Sequence, residues 1–405
     1  MSWNIQGLRD KLTYLYDDLF SFDVISLIET WNDCSPISPL PGYFVEQTVR
    51  NVARNNRHYG GILVLVKASA IDGYERISSR SENLLWLSIY LKCGKQLIFG
   101  VVYIPPQNSS YNRENTWEIL GEEFSLIQES YKDLDCVLMG DFNAYTGLEA
   151  EIPDVLIPDL GDFVPICCRI PRSNKDEKRK INVWGRKLLA FCGEHGLMIA
   201  NGRFGKDKGR GEFTCLSGPT PSVVDYVLIN TQLVPESINM GVLDLVGSDH
   251  RAIMLEVKIG QFAKHGSRLR NFYNADYRKI GLGKRIRNDL TDKDIEAFRR
   301  ELLDSHVKNN LKALEDNEKD AHSVIMLLNE IMGSCAESCG LTKKLKKNEG
   351  YFDLDCKLMK EEAKYLLNRL NEFDSAEDQS LKLANYKDKR REYKSLIKRK
   401  KRVRE

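Results

Sequence analysis

The chain has 405 residues, of which 42% are hydrophobic and 29% charged, enough for one sizeable core plus an extension. No run of 18 uninterrupted apolar residues occurs and polar residues follow Met1 at once, which excludes a membrane span and a signal peptide. The 10 cysteines are scattered without CxxC pairs, which favours a reduced compartment over a zinc site or a disulfide framework. We therefore expect a soluble, nuclear and/or cytoplasmic protein.

Charge divides the chain into an acidic body and a basic tail. Residues 1–260 carry 26 Lys and Arg against 33 Asp and Glu, whereas residues 341–405 carry 20 against 12. An acidic body argues against broad DNA affinity and suits a carboxylate-rich metal site. The tail is either a solvated spacer helix or a source of attraction to phosphates.

Apolar periodicity predicts an irregular alternation of helices and strands up to about residue 260. Helices are predicted at 8–20, 115–131 and 184–195, the last closed by Gly196, and strands at 23–28, 60–67, 84–91, 96–104, 136–139, 197–201, 212–216, 223–230, 240–246 and 251–259. The Pro-containing, charged segment 148–182 is interpreted as a surface loop. Because several strands pair as hairpins, the pattern favours a mixed α/β sandwich over a doubly wound parallel sheet.

The character of the sequence changes after Gly260. Charged residues become frequent, and helical spacing runs through 290–340 and 352–403. We therefore place a domain boundary near 260–265, with a body at 1–260 and a mostly helical, C-terminally basic region at 261–405.

The segment CVLMGDFNAYTG, residues 136–147, combines a short buried-strand signal with polar residues at its end. Asp141 and Asn143 are two apart, so on an extended backbone their side chains leave the same face while Phe142 points into the core. An acceptor and a donor could thus converge on one anion or one water. The alternative is an Asx turn that closes an ordinary strand.

Other polar residues also stand at strand ends, and strands of one sandwich could bring them to one pocket. They are Asn4, Glu29, Tyr103, Asp141, Asn143, Asp225, Asp249 and His250. Glu29, Asn4 and Asp249 are hard oxygen ligands of the kind that Mg²⁺ prefers. Asp141 could orient or deprotonate a water, and His250, held by Asp225, could donate to a phosphate. Alternatively, Glu29 caps a helix, Tyr103 is a half-buried strand aromatic, and residues 248–250 form a plain loop.

The order of the motifs WN-x-x-G, E-T, V-Y-x-P-P, G-D-F-N, D-Y-V-L and S-D-H resembles the endonuclease/exonuclease/phosphatase superfamily over about residues 1–260. The resemblance implies the four-layered fold of deoxyribonuclease I, with two mixed β-sheets flanked by helices. It also implies phosphodiester hydrolysis with Mg²⁺, or with Mn²⁺ as an alternative. Glu29 matches the principal metal ligand of that family, with Asn4 and Asp249 beside it.

The resemblance also implies catalytic roles. Asp141 matches the residue that activates the attacking water, and Asn143 the residue that orients the water and the phosphate. Tyr103 matches a phosphate contact. His250 matches the histidine on the scissile phosphate, oriented by Asp225.

Two further positions, Thr214 and Ser248, fall where family members contact phosphate or support the site. Gln6 departs from the pattern, because abasic-site repair members carry an acid there, and this counts against a repair role. Met1 lies only three residues before Asn4, which implies that the first strand is truncated.

Within the superfamily, LIETW at 27–31 and the segment at 182–204 are most similar to endonuclease domains of non-LTR (LINE-type) retrotransposons. The basic tail resembles the helical linker that precedes their reverse transcriptase, which is absent here. The resemblance implies nicking of double-stranded DNA, with a reverse transcriptase from a full-length element as a further partner and no membrane. The alternatives are a phosphodiesterase or phosphatase for RNA or a small phosphoester, and a domesticated fragment without catalysis.

Overall fold

The structure is a computed structural model, and it describes most of residues 1–258 and parts of the remainder. The undescribed positions up to 258 are 9–10, 12–18, 20, 33–41, 51–58, 110–114, 133, 153–169, 219, 231–232 and 234–236. Beyond 258 the described residues are 284–286, 292–302, 335, 338–339, 342–344, 352–370 and 376–403. The chain forms two compact units, residues 1–261 with 351–405, and residues 262–350.

The first unit contains two six-stranded mixed sheets. Sheet 1 has the order β11-β12-β1-β2-β4-β3 and comprises β1 (Ser2–Asn4), β2 (Val24–Ile28), β3 (Tyr43–Thr48), β4 (Ile62–Lys67), β11 (Ser237–Leu243) and β12 (Ala252–Lys258). Sheet 2 has the order β5-β6-β7-β8-β10-β9 and comprises β5 (Ile71–Ile77), β6 (Leu84–Leu91), β7 (Gln96–Tyr103), β8 (Asp135–Asp141), β9 (Leu197–Ile199) and β10 (Asp225–Asn230). The pairs β1–β2 and β7–β8 are parallel, and the other pairs are antiparallel.

The central strands of sheet 2 are buried on both faces, which explains their continuous apolar runs. Val137 and Met139 of β8 belong to the core between the two sheets, whereas Leu138 points to the opposite face. Helices α1 (Thr116–Ser130) and α2 (Val183–His195) cover that outer face. They do so mainly through Phe124 and Trp184.

The outer face of sheet 1 carries a third buried cluster around Trp3, Ile25 and Leu63. Leu8 and Leu19 pack into this cluster. The remainder of the helix predicted at 8–20 lies almost entirely outside the described residues. The predicted α/β sandwich of two mixed sheets flanked by helices, followed by C-terminal helices, is confirmed.

Several predicted details differ from the structure. Residues 212–216 form no strand, and only Cys215 makes isolated bridges, to Ser222 and His250. Part of the predicted surface loop at 148–182 is buried, since Arg172 donates to Thr146 Oγ1 at 2.8 Å. The sequence did not predict the partly exposed strands β3 and β5, because polar residues interrupt their apolar pattern.

The C-terminal region is helical where it is described. Helix α3 (Asp292–Leu302) and the short pair β13 (Lys284–Ile286) and β14 (Thr342–Lys344) belong to the second unit. Helices α4 (Leu354–Arg369) and α5 (Ala376–Arg402) belong to the first unit. The division of the chain at residue 260 stays a prediction. Within the described residues, no helix is long and apolar enough to cross a membrane.

A buried ion pair supports the edge strand β9 of sheet 2. Arg203 Nη2 donates to Glu151 Oε2 at 2.9 Å, and the Ile199 amide donates to Glu151 Oε1 at 2.9 Å. Burial alone would raise the pKa of Glu151, but Arg203 holds the pKa below its usual value.

We expect Glu151→Ala to lower the free energy of unfolding by about 3–5 kcal/mol, because it deprives a buried guanidinium of its carboxylate. The control Arg76→Ala removes the exposed pair with Glu46 and should cost less than about 1 kcal/mol. Urea unfolding at neutral pH measures both. Equal losses would show that the Glu151–Arg203 pair contributes no more than a surface contact.

Candidate active site

Three polar side chains lie in a row at one end of sheet 2. Strand register pairs Tyr103 of β7 with Asp141 of β8, and Asp141 with Asp225 of β10. Residues that are directly opposite each other in neighbouring strands project from the same face. Sheet pairing therefore brings together three of the predicted site residues.

The turn after β8 fixes Asp141 and Asn143. A Cβ at Gly140 would lie 1.8 Å from the carbonyl oxygen of Val102, so only glycine allows the two strands to approach this closely. Asn143 has φ +49°, and its amide donates to Asp141 Oδ1 at 3.0 Å. Its side-chain Nδ2 donates to the carbonyl of Ile104 at 2.8 Å. The Asx turn is thus present and Phe142 is buried as predicted, whereas the convergence of Asp141 and Asn143 on one ligand stays a prediction.

Sheet 1 contributes Asn4 across the gap between the sheets. Its Nδ2 donates to Asp141 Oδ2 at 2.9 Å. Its other side-chain atom, Oδ1, is buried and accepts no hydrogen bond from the described residues. A buried acceptor without a donor is costly and calls for a partner such as a water or an ion.

His250 forms a buried pair with Asp225. Its Nδ1 lies 2.9 Å from Asp225 Oδ2, and its Nε2 lies 3.9 Å from Asp141 Oδ2 and 3.6 Å from Cys215 Sγ. The indole of Trp3 donates to the His250 carbonyl at 2.8 Å. The ring is therefore held with Nδ1 on one carboxylate and Nε2 towards the other.

Burial and neighbouring charges shift the pKa values of this group. Burial, and then the charge of Asp225, raise the pKa of Asp141 to about 7. Burial alone would lower the pKa of His250, but Asp225, Cys215 and Asp141 together raise it well above its ordinary value. The ring is thus an imidazolium near neutral pH, with a proton on Nε2 that it can donate.

Glu29 and Tyr103 lie close to Asp141. Glu29 has φ +57°, and its Oε2 accepts the amide of Gly60 at 3.0 Å and the indole N–H of Trp31. Burial, then the charges of Glu29 and Asp141, raise the pKa of Tyr103 well above its ordinary value, so its hydroxyl keeps its proton. Tyr103 is therefore a donor between two carboxylates.

Asp249 lies at the rim and already has two partners. Its amide donates to Gln6 Oε1 at 3.2 Å, and its Oδ1 accepts from the guanidinium of Arg390. Burial would raise the pKa of Asp249, but Arg390 holds the pKa below its usual value. The carboxylate is thus kept ionised.

Thr214 and Ser248 hold backbone groups next to the site in place through hydrogen bonds. Thr214 Oγ1 accepts the amides of Val224 and Asp225, each at 3.0 Å. Ser248 Oγ donates to the Asn4 carbonyl at 2.6 Å and accepts the His250 amide at 3.1 Å. Of the two roles implied for them, the geometry shows the supporting one.

The sequence reasoning missed two residues that shape the site. Asn182 Oδ1 accepts the amides of Tyr145 at 2.9 Å and Gly185 at 2.7 Å, and its Nδ2 donates to the Asn143 carbonyl at 2.9 Å. The signal was present, because asparagine before a helix is a common N-cap. The other missed residue is Arg390, which stands 141 positions after Asp249 in the chain.

Three of the predicted site residues offer oxygen donors of the kind that a hard divalent cation prefers. The orphaned Oδ1 of Asn4 and the carboxylates of Glu29 and Asp249 are the donor types that Mg²⁺ prefers. The ligand atoms of Asp141, Asp225 and His250 also lie within 4.8 Å of one another. In this group, however, Nδ1 of His250 already pairs with Asp225 Oδ2 at 2.9 Å. We therefore interpret this second group as an acid–base cluster.

We expect Thr214→Val to destabilise the protein by about 1–3 kcal/mol, because two buried amides lose their acceptor. Thr214→Ser keeps the hydroxyl and should retain most of the stability, which makes it the matched control. Thermal unfolding of both variants measures the difference. Equal destabilisation of both variants would contradict this expectation, because the hydroxyl that Val lacks would then matter no more than the methyl group that Ser lacks.

Comparisons with known proteins found similar solved structures and a matching family. Among solved structures, the endonuclease domain of the telomere-specific non-LTR retrotransposon TRAS1 is similar at 15% identity and a TM-score of 0.41, covering 64% of this chain and 98% of that one. The APE2 catalytic domain of Xenopus laevis is similar at 17% identity and a TM-score of 0.43, covering 64% and 93%. The 3′ phosphatase NExo of Neisseria, bound to a product DNA hairpin, is similar at 15% identity and a TM-score of 0.40, covering 64% and 98%. No curated protein matched. Residues 1–250 match the endonuclease/exonuclease/phosphatase family, and the chain belongs to that family.

Proposed function

We propose that this protein is a metal-dependent endonuclease that hydrolyses one phosphodiester of double-stranded DNA with an activated water, as in target nicking by a non-LTR retrotransposon. The observation that carries the proposal is the buried Asp225–His250 pair, whose Nε2 lies 3.9 Å from Asp141. It places an acid and a base side by side at the end of a sheet. Cys215, whose Sγ lies 3.6 Å from His250 Nε2, is buried, so the nucleophile in this proposal is a water that Asp141 activates.

Asp141 is the base in this proposal. Asn4 and the Asn143 amide each hold one of its oxygens, so its orientation is fixed before substrate arrives. A pKa of about 7 suits a base that must accept a proton near neutral pH. It would take the proton of the attacking water.

His250 is the group that meets the growing negative charge. Asp225 fixes its tautomer and keeps it protonated, so Nε2 presents an N–H to a phosphate oxygen. Tyr103 offers a second donor from the neighbouring strand. Strand β7 holds Tyr103 and Asp225 holds His250, so both donors need no rearrangement in the transition state.

Glu29, Asn4 and Asp249 would hold the metal, which we propose to be Mg²⁺, with Mn²⁺ as an alternative. When bound, such an ion neutralises charge on a phosphate oxygen and lowers the pKa of a coordinated water. Indole and amide donors fix one oxygen of Glu29, and the second oxygen is the one that we assign to the ion.

Duplex DNA is favoured over RNA or a small phosphoester by the resemblance of both the body and the basic tail to a retrotransposon endonuclease and its linker. A nick of this kind leaves a 3′-hydroxyl that a reverse transcriptase from a full-length element would extend. Chromosomal DNA as the target implies action in the nucleus after synthesis in the cytoplasm.

We expect Asp141→Asn to lower the rate of nicking of supercoiled plasmid by about 10²-fold or more, because the base is lost while the shape is kept. The control Asp72→Asn changes an exposed carboxylate of β5 and should nick normally. Assays with Mg²⁺ and with EDTA measure both, beside single-stranded RNA as a second substrate. Equal rates for Asp141→Asn and the parent would remove Asp141 from the reaction. Faster cleavage of RNA would favour the alternative substrate, and no cleavage of either would favour a non-catalytic fragment.

We expect Glu29→Gln to raise the Mg²⁺ concentration needed for half-maximal nicking by about 10-fold or more, because a charged ligand is lost. Glutamine keeps an acceptor oxygen for the Gly60 amide, so the turn should persist. Glu75→Gln, an exposed change in β5, is the matched control. A Mg²⁺ titration that superimposes on that of the parent would exclude Glu29 as a ligand.

A further inference from the structure

Helices α4 and α5 pack against the same loops that carry the proposed active site. Residues at helical spacing on α5 form one buried stripe, namely Leu383, Tyr386, Arg390 and Tyr393. Leu383 and Tyr386 pack with Leu216, which follows Thr214. Tyr393 packs with Val246, which precedes the loop of Asp249. The tail is therefore anchored at the site by apolar contacts.

Arg390 is the charged member of the buried stripe. It is 5% exposed, and its Nη1 donates to Asp249 Oδ1. Its Nε and Nη2 are buried and make no hydrogen bond to the described residues. A guanidinium with two of its three nitrogens lacking acceptors is costly in a protein interior.

A cleft of about 410 Å³ lies between α5 and the loop at 216–218. Arg390 lines this cleft together with Lys387, Arg391 and Lys394, and Asp249 is the one carboxylate among the lining residues. Lys387 Nζ also donates to the Gly218 carbonyl, so a hydrogen bond links the loop to the helix at the entrance of the cleft. Four cations around one acid favour an anion as occupant.

We propose that this cleft binds a backbone phosphate of the nucleic acid next to the phosphate that is cleaved, with Arg390 bridging Asp249 and the bound phosphate. The inference rests on the proposed function for its ligand class. Guanidinium groups bind phosphate oxygens through paired N–H donors, and the two donors of Arg390 without acceptors are of that kind. The acidic body thus gains its attraction to DNA from the tail, at the site itself.

The test uses the full chain and a short fluorescent DNA duplex in EDTA, so that binding is read without cleavage. Anisotropy between about 50 and 200 mM KCl gives the slope of log K against log salt. The double variant Lys387→Gln, Arg391→Gln should have a slope shallower by about one, because the cleft takes one phosphate and each neutralised phosphate releases about one counterion. Arg390→Met should make the salt slope shallower by about one. Methionine is apolar and of similar length, so it should keep the buried stripe packed.

The matched control is Lys398→Gln, Arg399→Gln, which removes the same charge from exposed positions of α5 that do not line the cleft. Its slope should stay close to that of the parent. Equal flattening by both double variants would overturn the proposal, because the helix would then act only through its general charge. Faster nicking by Arg390→Met at low Mg²⁺ would also overturn it, since Arg390 would then be a competitor of the metal at Asp249.

The two proposals fail separately. If the parent binds the duplex and the cleft variants lose binding, but no variant nicks DNA, the phosphate site stands and the nuclease function falls. If the parent nicks DNA and the cleft variants bind and nick like the parent, the nuclease function stands and the phosphate site falls.

Discussion

The hydrogen bond from Asn4 to Asp141 is the contact on which the site depends, because it joins the end of one sheet to the end of the other. Asn4 closes β1 of sheet 1, and Asp141 closes β8 of sheet 2. The distance between them is set by the apolar core between the sheets, and not by any local turn. A change that moves the two sheets apart therefore displaces Asp141, and it does so before it lowers the stability of the fold.

Backbone strain is concentrated at the same place. The non-glycine residues with positive φ in the described part of the chain are Gln6, Glu29, Trp31 and Asn143. All follow the ends of strands β1, β2 and β8. Such conformations cost about 1–3 kcal/mol each and persist where surrounding contacts determine them. Here the contacts are specific, since Glu29 is fixed by Gly60 and Trp31, and Asn143 by Ile104. The fold stabilises a geometry that the isolated turns would not adopt.

The sequence allowed correct prediction of features that depend on a single strand. The apolar run before Gly140 predicted β8, because this feature follows from the backbone of a single segment. The predicted convergence of Asp141 and Asn143 assumed an extended backbone, whereas Asn143 has φ +49° and its Nδ2 donates to the Ile104 carbonyl, so the convergence stays a prediction. Whether Thr214 touches substrate or supports Asp225 could not be decided in this way. Its partners are the amides of residues 10 and 11 positions later, brought back by a loop with no strand pattern of its own.

The edge-type strands β3 and β5 escaped prediction for a related reason. Their side chains alternate only weakly because neither face of the strand is fully buried, so the pattern that marks a strand is diluted. Pairing with β4 and β6 makes them strands. Long-range hydrogen bonding overrides the local signal at these positions.

Composition separated the acidic body from the basic tail, and the simplest interpretation of such a tail is a solvated spacer. The spacing of apolar residues in the tail argues against a solvated spacer. Leu383, Tyr386 and Tyr393 lie on one face of the helix, and a helix surrounded by solvent does not need an apolar face. An arginine in the same stripe is the informative exception, since burial of a charge is tolerated only beside an opposite charge. That charge is Asp249, which we propose as a metal ligand. A single buried cation in an otherwise apolar helical face thus connects two regions that composition alone had assigned to separate functions.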